Sequence, residues 1–343
     1  MAKTVKLADI AKRLEVSVVT VSNALSGQKG VSEAVRQQIV EIAEEMGYQG
    51  KNMSVQRKKR KVCVGVVVAE RFLNRGTSFY WALYQELTKI AQRAKCFVMF
   101  EVLTNEDEEN EVMSLFLREE QVDGLIILGQ LNNHYLEYLK KHIRFPMVCL
   151  DFYAEDIHMD AIISNNFYGM YQMTNYLIDE GHRKIYYVGT VLANSSITDR
   201  CFGYQKALLE HGIKWEPSWI IPDRDIQDGV INVKLPEELP TAFVCNCDLV
   251  ACDVVRALQD KGYEVPNDIS VVGFDNFFYE GYCDVEITTH EVDMKKMAQM
   301  AIERILYRLE HPLEKGSKAS LQIAMGRMII KKSVRRIGNQ KNI

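Results

Sequence analysis

The sequence predicts a small all-α unit at the N-terminus, followed by an α/β core of two doubly wound parallel-sheet lobes. The first 46 residues carry apolar side chains at helical spacing, and from residue 62 onward apolar runs alternate with amphipathic stretches. The two parts also differ in charge, because residues 1–61 have a net charge of +6 and residues 62–343 a net charge of −10. A chain of 343 residues is long enough for several such units.

Three short helices are predicted in the N-terminal unit. In the first, the residues at one-face spacing are Leu7, Ile10, Ala11 and Leu14. Glu15-Val16-Ser17 interrupts this helix, and Ser17 is placed to cap a second one. The second helix directs Val21, Ala24 and Leu25 inward and leaves Val18, Val19, Ser22 and Asn23 outward. The third helix, over residues 32–46, has Ser32 as its cap and buries Val35, Ile39, Ile42 and Met46.

Two helices joined by a short turn and braced by a third form the helix-turn-helix arrangement, whose second helix enters the major groove of DNA. A helical bundle without a nucleic-acid partner would show the same apolar pattern. The positive charge of residues 1–61 favours DNA, because lysine and arginine neutralise phosphates. We therefore predict a DNA-binding domain over residues 1–49.

A polar segment at residues 50–61 separates this unit from the rest. It ends in the five consecutive basic residues 57–61, and we interpret it as a basic hinge that adjoins the DNA. The core then covers residues 62–343. Its first lobe is expected at about 62–160 and 292–323, and its second lobe at about 161–291 and 324–343.

Apolar runs identify the core strands, which should be buried on both faces. The predicted strands are Val62–Ala69, Phe97–Leu103, Gly124–Leu128, Met147–Leu150, Ala161–Ile163, Ile185–Val188, Ala242–Cys245 and Ile269–Phe274, with final strands near 321–325 and 327–331. The predicted helices are 79–94, 108–119, 133–142, 167–180, 200–211, 249–261 and 293–309.

In open parallel sheets, ligands bind beyond the carboxyl ends of the strands. The residues there include aromatic side chains, acids and one arginine, which suit a hydroxyl-rich small molecule such as a sugar. The candidate effector-binding residues at these strand ends are Phe79, Tyr80, Asp151, Arg200, Cys247, Asp248 and Asp275. Trp81, Phe152 and Tyr153 are further aromatics at the same ends, and for Trp81 and Phe152 core filling is an equal alternative.

Several classes of protein are disfavoured. No apolar run approaches the length of a membrane span and no export signal is recognisable, so we expect a cytoplasmic protein. The eight cysteines are expected to be reduced and structural, and we expect no metal and no cofactor. No phosphate-binding glycine loop or nucleophile motif occurs, so an enzyme is not expected. A plain solute-binding protein would share the core but would have no use for residues 1–61.

Over essentially its full length the chain resembles the LacI/GalR (lactose-repressor) family of bacterial transcription regulators. The motif from Leu7 to Gly27 carries most of this resemblance. Further matches are Gly47-Tyr48, Val122-Asp123-Gly124, Gly181-His182, Thr198-Asp199-Arg200-x-x-Gly203 and Ile269–Asp275.

The resemblance implies a two-lobed core like that of periplasmic binding proteins, a homodimer, and a near-palindromic double-stranded operator. It also implies that an effector binds between the lobes and changes operator affinity, with Arg200 and Asp275 as ligands and Asp248 at the cleft. The candidate DNA-binding residues are Thr4, Lys6, Leu7, Ser17, Val18, Val19, Thr20, Ser22, Asn23, Ser26, Lys29, Val31, Ser32 and Arg57.

The chain departs from the family pattern at four positions. Cys247 replaces a ligand-facing asparagine, and Glu15 replaces a turn glycine, which is tolerable if the turn avoids a left-handed backbone. Asn23 stands where arginine is common, which favours adenine over guanine and predicts an A·T-rich half-site. Arg57 replaces the leucine that wedges the minor groove, which predicts weaker DNA bending and a steeper salt dependence.

Overall fold

A computed structural model describes residues 5–26, 28, 30–46, 48, 61–73, 78–154, 159–226, 229–277, 281–312 and 319–338. The chain divides into two compact units, Met1–Val62 and Cys63–Ile343. Among the described residues, no helix is both long enough and apolar enough to cross a membrane.

The N-terminal unit contains helices α1 (Leu7–Arg13), α2 (Val18–Ser26) and α3 (Glu33–Glu45). Their core is small and fully apolar, and its buried members are Ile10, Ala11, Val21, Ala24, Leu25, Ile39 and Ala43. Ser17 caps α2 as predicted, because its Oγ accepts a 3.0 Å hydrogen bond from the Thr20 amide. At the other end of α2, the Arg36 guanidinium donates to the carbonyls of Asn23 and Ala24 at 3.1 and 2.7 Å. A cation at this end complements the helix dipole.

The turn between α1 and α2 differs from the prediction. Glu15 has a φ of +53°, so it adopts the left-handed conformation that a glycine would occupy without strain. We expected glutamate to be tolerated at this turn if its backbone avoided the left-handed conformation, and the structure does not meet that condition.

The second unit contains two six-stranded sheets with helices on their faces. Its strands are β1 (Cys63–Ala69), β2 (Phe97–Leu103), β3 (Gly124–Leu128), β4 (Met147–Leu150), β5 (Asp160–Ser164), β6 (Ile185–Val188), β7 (Ile220–Ile221), β8 (Ala242–Cys245), β9 (Ser270–Asp275), β10 (Thr288–Glu291), β11 (Leu321–Ala324) and β12 (Arg327–Ile329). Its α-helices are α4 (Phe79–Arg93), α5 (Asn105–Glu109), α6 (Leu115–Arg118), α7 (Asn133–His142), α8 (Asn166–Asp179), α9 (Ser195–Glu210), α10 (Asp248–Asp260) and α11 (Met294–Glu310).

The first sheet has the strand order β11-β5-β4-β3-β1-β2 and is parallel throughout. The second has the order β12-β10-β9-β8-β6-β7, in which only β12 runs antiparallel to its neighbour. The chain crosses between the lobes after β5, after β10 and after β11. Helix α11 packs against α4 and the strands β3 to β5, so it belongs to the first lobe.

Three sequence-based expectations about the core are wrong. β5 lies in the first sheet, so the predicted lobe boundary between residues 160 and 161 is misplaced by one strand. The helix predicted over 108–119 is two short helices, α5 and α6, separated at Glu111, which has a φ of +51°. β2 is an edge strand rather than a buried one, with Phe97 and Val102 exposed.

Candidate ligand cleft and nucleic-acid interface

A cavity of about 240 Å³ lies where the carboxyl ends of strands from both sheets face each other. Its lining combines aromatic rings with charged and amide side chains. The residues are Arg71, Phe72, Ser78, Phe79, Tyr80, Asp151, Asn194, Ser196, Ile197, Arg200, Arg224, Gly229, Val230, Ile231, Asn246, Cys247, Leu249 and Asp275. Such a mixture of apolar faces and a few convergent polar groups is typical of small-molecule sites.

On the first-lobe side of the cleft, aromatic residues surround one buried carboxylate. The rings of Phe72 and Tyr80 lie 4.6 Å apart, and Phe79 packs against Tyr80 edge to face at 5.4 Å. The Tyr80 hydroxyl donates a 3.0 Å hydrogen bond to Oδ2 of Asp151, while Oδ1 of Asp151 is buried without a partner in the described part of the chain. This oxygen can therefore accept a hydrogen bond from a ligand hydroxyl.

On the second-lobe side, two arginines are held in fixed orientations. Nη2 of Arg200 lies 3.3 Å from Oδ1 of Asp275, and Nη1 donates to the Asn246 carbonyl at 2.6 Å. Nε and Nη2 of Arg224 donate to Oδ2 of Asp223 at 3.0 and 2.7 Å. Because Asp223 is buried behind the cleft, its charge offsets that of Arg224. The cleft therefore offers directed donors without a strong positive charge.

Burial changes the protonation of the cleft acids. It raises the pKa of Asp151 to about 6, although the charge of Arg200 acts in the opposite direction. It raises the pKa of Asp275 to about 7, again opposed by Arg200. Both groups therefore titrate near neutral pH, where each can donate or accept a hydrogen bond. Burial also raises the pKa of Cys247 to about 12, which keeps this thiol neutral.

Two of the cleft acids have unusual backbone conformations. Asp151, which follows β4, has a φ of +70°, and Asp275, at the end of β9, has a φ of +104°. Left-handed non-glycine residues are strained and cluster at functional sites. Their occurrence at two facing strand ends supports a binding role for this cleft.

Polar contacts join the lobes beside the cleft. The Ser195 amide donates to Oε1 of Gln130 at 3.0 Å, and the Ser196 hydroxyl donates to the Asp151 carbonyl at 3.1 Å. The Tyr153 hydroxyl donates to Oδ1 of Asp199 at 3.0 Å. These bonds connect elements of the first sheet to helix α9, so they hold the lobes together.

Six of the seven predicted effector-binding residues line the cavity, namely Phe79, Tyr80, Asp151, Arg200, Cys247 and Asp275. Asp248 does not. It is buried behind the cleft at the start of α10, and its Oδ2 accepts a 2.9 Å hydrogen bond from the Phe277 amide. Asp248 therefore holds a loop and does not line this cavity, contrary to its predicted placement, and its part in effector binding stays a prediction.

Neither Trp81 nor Phe152 lines the cavity, although both were considered as cleft aromatics. Trp81 is 40% exposed and packs against Tyr84 and Phe100, and Phe152 is buried in the core of the first lobe. Tyr153 reaches the second lobe through Asp199.

In the N-terminal unit, the start of α2 presents an apolar surface to its surroundings. Val18 and Val19 are 46% and 67% exposed, and Ser17 and Thr20 lie next to them with their hydroxyls 2.8 Å apart. Ser22, Asn23 and Ser26 are half-buried further along the helix, as are Leu7 and Val31, while Lys6 and Ser32 are exposed. Thr4, Lys29 and Arg57, with the rest of the proposed hinge, lie outside the described residues.

Comparison with known proteins adds two family matches. Residues 6–50 match the bacterial regulatory proteins of the lacI family, and residues 174–334 match a periplasmic binding protein-like domain. The chain belongs to the lacI family of bacterial regulatory proteins.

Relatives of this lacI-family chain are similar over most of their length. The HTH-type transcriptional repressor PurR of Aliivibrio salmonicida is 28% identical over 309 residues, which cover 88% of this chain and 91% of the relative. The ribose operon repressor of Haemophilus influenzae is 26% identical over 311 residues, covering 89% and 92%.

Solved structures share the fold. The lac repressor dimer bound to operator and an anti-inducer matches with a TM-score of 0.64 and 21% identity, covering 97% of this chain and 100% of that chain. A LacI family regulator from Enterococcus faecium with bound ribose matches with a TM-score of 0.64 and 20% identity, covering 80% and 100%.

The lacI-family resemblance did not identify Arg224 as a cleft residue. Arg224 follows β7, a strand of only two residues that no apolar run marks. Its only signal in the sequence is the neighbouring pair Asp223-Arg224 within a polar stretch. Asn246 was within the expected strand ends, but its Nδ2 donates to Asp223 and to the Val188 carbonyl, so much of its amide has a structural role.

Proposed function

We propose that this protein is a transcriptional repressor whose affinity for an operator is controlled by a small carbohydrate-like effector bound between the two lobes. The observation that carries the proposal is the combination in one chain of a helix-turn-helix unit with an exposed α2 and a cleft of fixed polar groups. Related repressors and the structure of a regulator with bound ribose support it. A solute-binding protein without a role in transcription would not need the first unit.

The N-terminal unit supports DNA binding through shape and charge. Helix α2 is fixed at both ends, by the Ser17 cap and by Arg36, while Val18 and Val19 remain exposed. Valine methyl groups can contact thymine methyls, and asparagine at Asn23 can pair with adenine. By likeness to the lac repressor dimer on its operator, we infer that the protein acts as a dimer on a near-palindromic site in the cytoplasm.

The cleft supports a polyhydroxylated ligand. Asp151 on the first-lobe side can accept or donate, and on the second-lobe side Asp275 can do the same beside the guanidinium groups of Arg200 and Arg224, whose charges are offset. The faces of Phe72 and Phe79 supply apolar area for the carbon skeleton of a sugar ring. The effector relieves or strengthens repression according to which of the two DNA-binding states of the protein it binds more tightly.

Selection of bound duplexes from a random library by the full chain tests the DNA-binding part. We expect one enriched near-palindromic motif, with A·T pairs at the half-site positions that Asn23 reads. Asn23→Arg should change the preferred base at one position of each half-site from adenine to guanine. Glu41→Gln, an exposed change on α3, is the control and should leave the motif unchanged. If no motif is enriched over random duplex, the repressor proposal is wrong.

Thermal-shift screening of the full chain with monosaccharides, D-ribose included, and with nucleobases tests the effector part. A ligand of this cleft should raise the unfolding midpoint of the wild type, and Asp275→Ala should remove the effect. Stabilisation by nucleobases alone would replace the carbohydrate by another class of effector.

A further inference from the structure

We propose that Cys252 and Cys283 in the second lobe form a peroxide-reactive thiol pair that closes to a disulfide bond. All eight cysteines are free in the structure, so the pair is present in its reduced form. The inference does not depend on the proposed repressor function, because the reaction needs only the fold of the second lobe.

Helix α10 and the segment that precedes β10 bring the two thiols together. Cys252 lies on α10 and Cys283 lies on that segment, and the two residues pack in one core cluster, close enough that each thiol shifts the pKa of the other. One helical turn beyond Cys252, the Arg256 guanidinium lies 5.0 Å from the centre of the Tyr282 ring. Because residues four apart share one helix face, this second contact holds residues 282 and 283 alongside Cys252.

The two cysteines differ in exposure. Cys252 is buried, whereas Cys283 is half-buried and can be approached from solvent. The Sγ of Cys283 lies 3.4 Å from the Val285 carbonyl oxygen, which orients this side chain. A peroxide molecule therefore meets Cys283 first.

The surroundings also favour Cys283 as the attacking group. The neighbouring Cys252 thiol lowers the pKa of the Cys283 thiol, against the opposing effects of burial and of Asp284, and the charge of Arg256 lowers it further. The same interaction raises the pKa of Cys252, which burial also raises. Cys283 is thus the better thiolate, and thiolates are the reactive form.

The oxidant is a peroxide, here hydrogen peroxide. The Cys283 thiolate attacks one peroxide oxygen, the O–O bond breaks, and Cys283 becomes a sulfenic acid while hydroxide takes up a proton to form water. The Cys252 sulfur then attacks the Cys283 sulfur, the S–O bond breaks, and the thiol proton leaves with the oxygen as a second water. In total two thiols are oxidised by two electrons and one peroxide is reduced to two waters.

The bond would connect two elements that reach the cleft. Helix α10 begins at Asp248, directly after the cleft residue Cys247, and the connection that carries Cys283 starts after the cleft residue Asp275. A disulfide would fix these elements relative to each other and stabilise the lobe by restricting its unfolded state. We expect the midpoint of thermal unfolding to rise by roughly 5–10 °C, and dithiothreitol to reverse the rise.

In the test, the reduced full chain is treated with hydrogen peroxide, from substoichiometric amounts to excess. The remaining thiols are then alkylated, and the chain is cleaved on the amino side of its aspartates. This cleavage leaves Cys252 in peptide 248–252 and Cys283 in peptide 275–283, each without another cysteine. We expect these two peptides to be linked and to separate on reduction. If they stay unlinked while other cysteines oxidise first, the proposal is overturned.

Three variants separate the roles of the thiols. Cys252→Ser should stop the reaction at a sulfenic acid on Cys283 that dimedone labels, and Cys283→Ser should abolish the rapid reaction with peroxide. Cys247→Ser is the matched control, because Cys247 lies near Cys252 but its pKa is raised, whereas that of Cys283 is lowered, and the variant should leave the link between the two peptides intact. If Cys247→Ser also abolishes the link, Cys247 takes part in the reaction, and the assignment to the pair Cys252 and Cys283 is contradicted.

Discussion

At the scale of single residues, the cleft acids show what burial does to chemistry. Asp275 is buried beside Arg200, yet its pKa stays near 7 because burial outweighs the attraction of the guanidinium. Its φ of +104° adds backbone strain, which asparagine also tolerates. Asp275→Asn therefore removes the titration with little change in shape.

The Asp275→Asn variant is predicted to change the pH dependence of stability. An aspartate whose pKa is raised from 3.8 to about 7 stabilises the fold fully below pH 4, and this contribution is lost as the pH rises toward 7. Relative to the wild type, Asp275→Asn should therefore gain on the order of 2–4 kcal/mol in unfolding free energy between pH 4 and pH 7. Urea unfolding across this range measures the gain. Asp284→Asn, an exposed change, is the control, and equal pH profiles for the wild type and Asp275→Asn would contradict the prediction.

A second prediction concerns the turn of the N-terminal unit. Because Glu15 is left-handed, with a φ of +53°, Glu15→Gly should stabilise this unit by about 1 kcal/mol. Glu15→Ala keeps the strain and should not. Hydrogen exchange of the buried amides of Ile10, Val21 and Leu25 reports the stability of this unit separately from the core. Slower exchange in Glu15→Ala as well would show that the carboxylate, and not the backbone, is responsible.

Sequence reasoning located much of the cleft because the relevant residues follow apolar strands. Asp151 comes directly after β4 and Asp275 ends β9, so the strand ends place both. It missed Arg224 because β7 is too short to form a recognisable run. It placed Asp248 among the residues that line the cavity, but this first residue of α10 accepts a hydrogen bond from the Phe277 amide and does not line it. The role of the lining residues in effector binding stays a prediction.

At the scale of elements, the packing of α8 against α9 depends on the absence of a side chain at Gly203. A Cβ atom there would lie 2.1 Å from the Phe167 carbonyl oxygen, which is backbone and cannot move away easily. This explains why a glycine stands three residues after Arg200 in the sequence. The close approach of the two helices in turn fixes the position of Arg200 at the cleft.

Gly203→Ala is predicted to destabilise the second lobe. Forcing α8 and α9 apart should lower the unfolding free energy by about 2–4 kcal/mol, measured by urea denaturation. Gly338→Ala is the matched control, because a Cβ atom at Gly338 meets nothing within 4 Å, and it should cost less than about 0.5 kcal/mol. Equal losses in the two variants would show that the α8–α9 contact does not limit stability.

Among the strands, the apolar pattern of the sequence predicts some correctly and fails for others. Apolar runs predicted the buried strands well, because a parallel sheet covered on both faces needs continuous hydrophobic segments. β10 was missed because its sequence, Thr288-Thr289-His290-Glu291, is polar although its first three residues are buried. β5 was found but assigned to the wrong lobe, since only its pairing with β4 and β11 decides the sheet.

At the scale of the whole molecule, control of DNA binding requires that the effector distinguish two arrangements of the lobes. Some hydrogen bonds between the lobes are made by residues that do not line the cavity. The bond from the Tyr153 hydroxyl to Asp199 is one of them. A bond of this kind stabilises only the arrangement in which the lobes are close. It therefore contributes to effector affinity without touching the effector.

Tyr153→Phe is accordingly predicted to weaken binding of the effector by about 2–10-fold, because one net hydrogen bond is worth about 0.5–1.5 kcal/mol. Thr88→Val, which removes a hydroxyl that donates to the Gln85 carbonyl within α4, is the control and should bind normally. Isothermal titration of the full chain measures both affinities, with a monosaccharide that the thermal-shift screen identifies. Because linkage is reciprocal, the factor by which the effector changes operator affinity must equal the factor by which the operator changes effector affinity in each variant. Unchanged affinity in Tyr153→Phe would mean that this bond persists in both arrangements of the lobes and plays no part in the control.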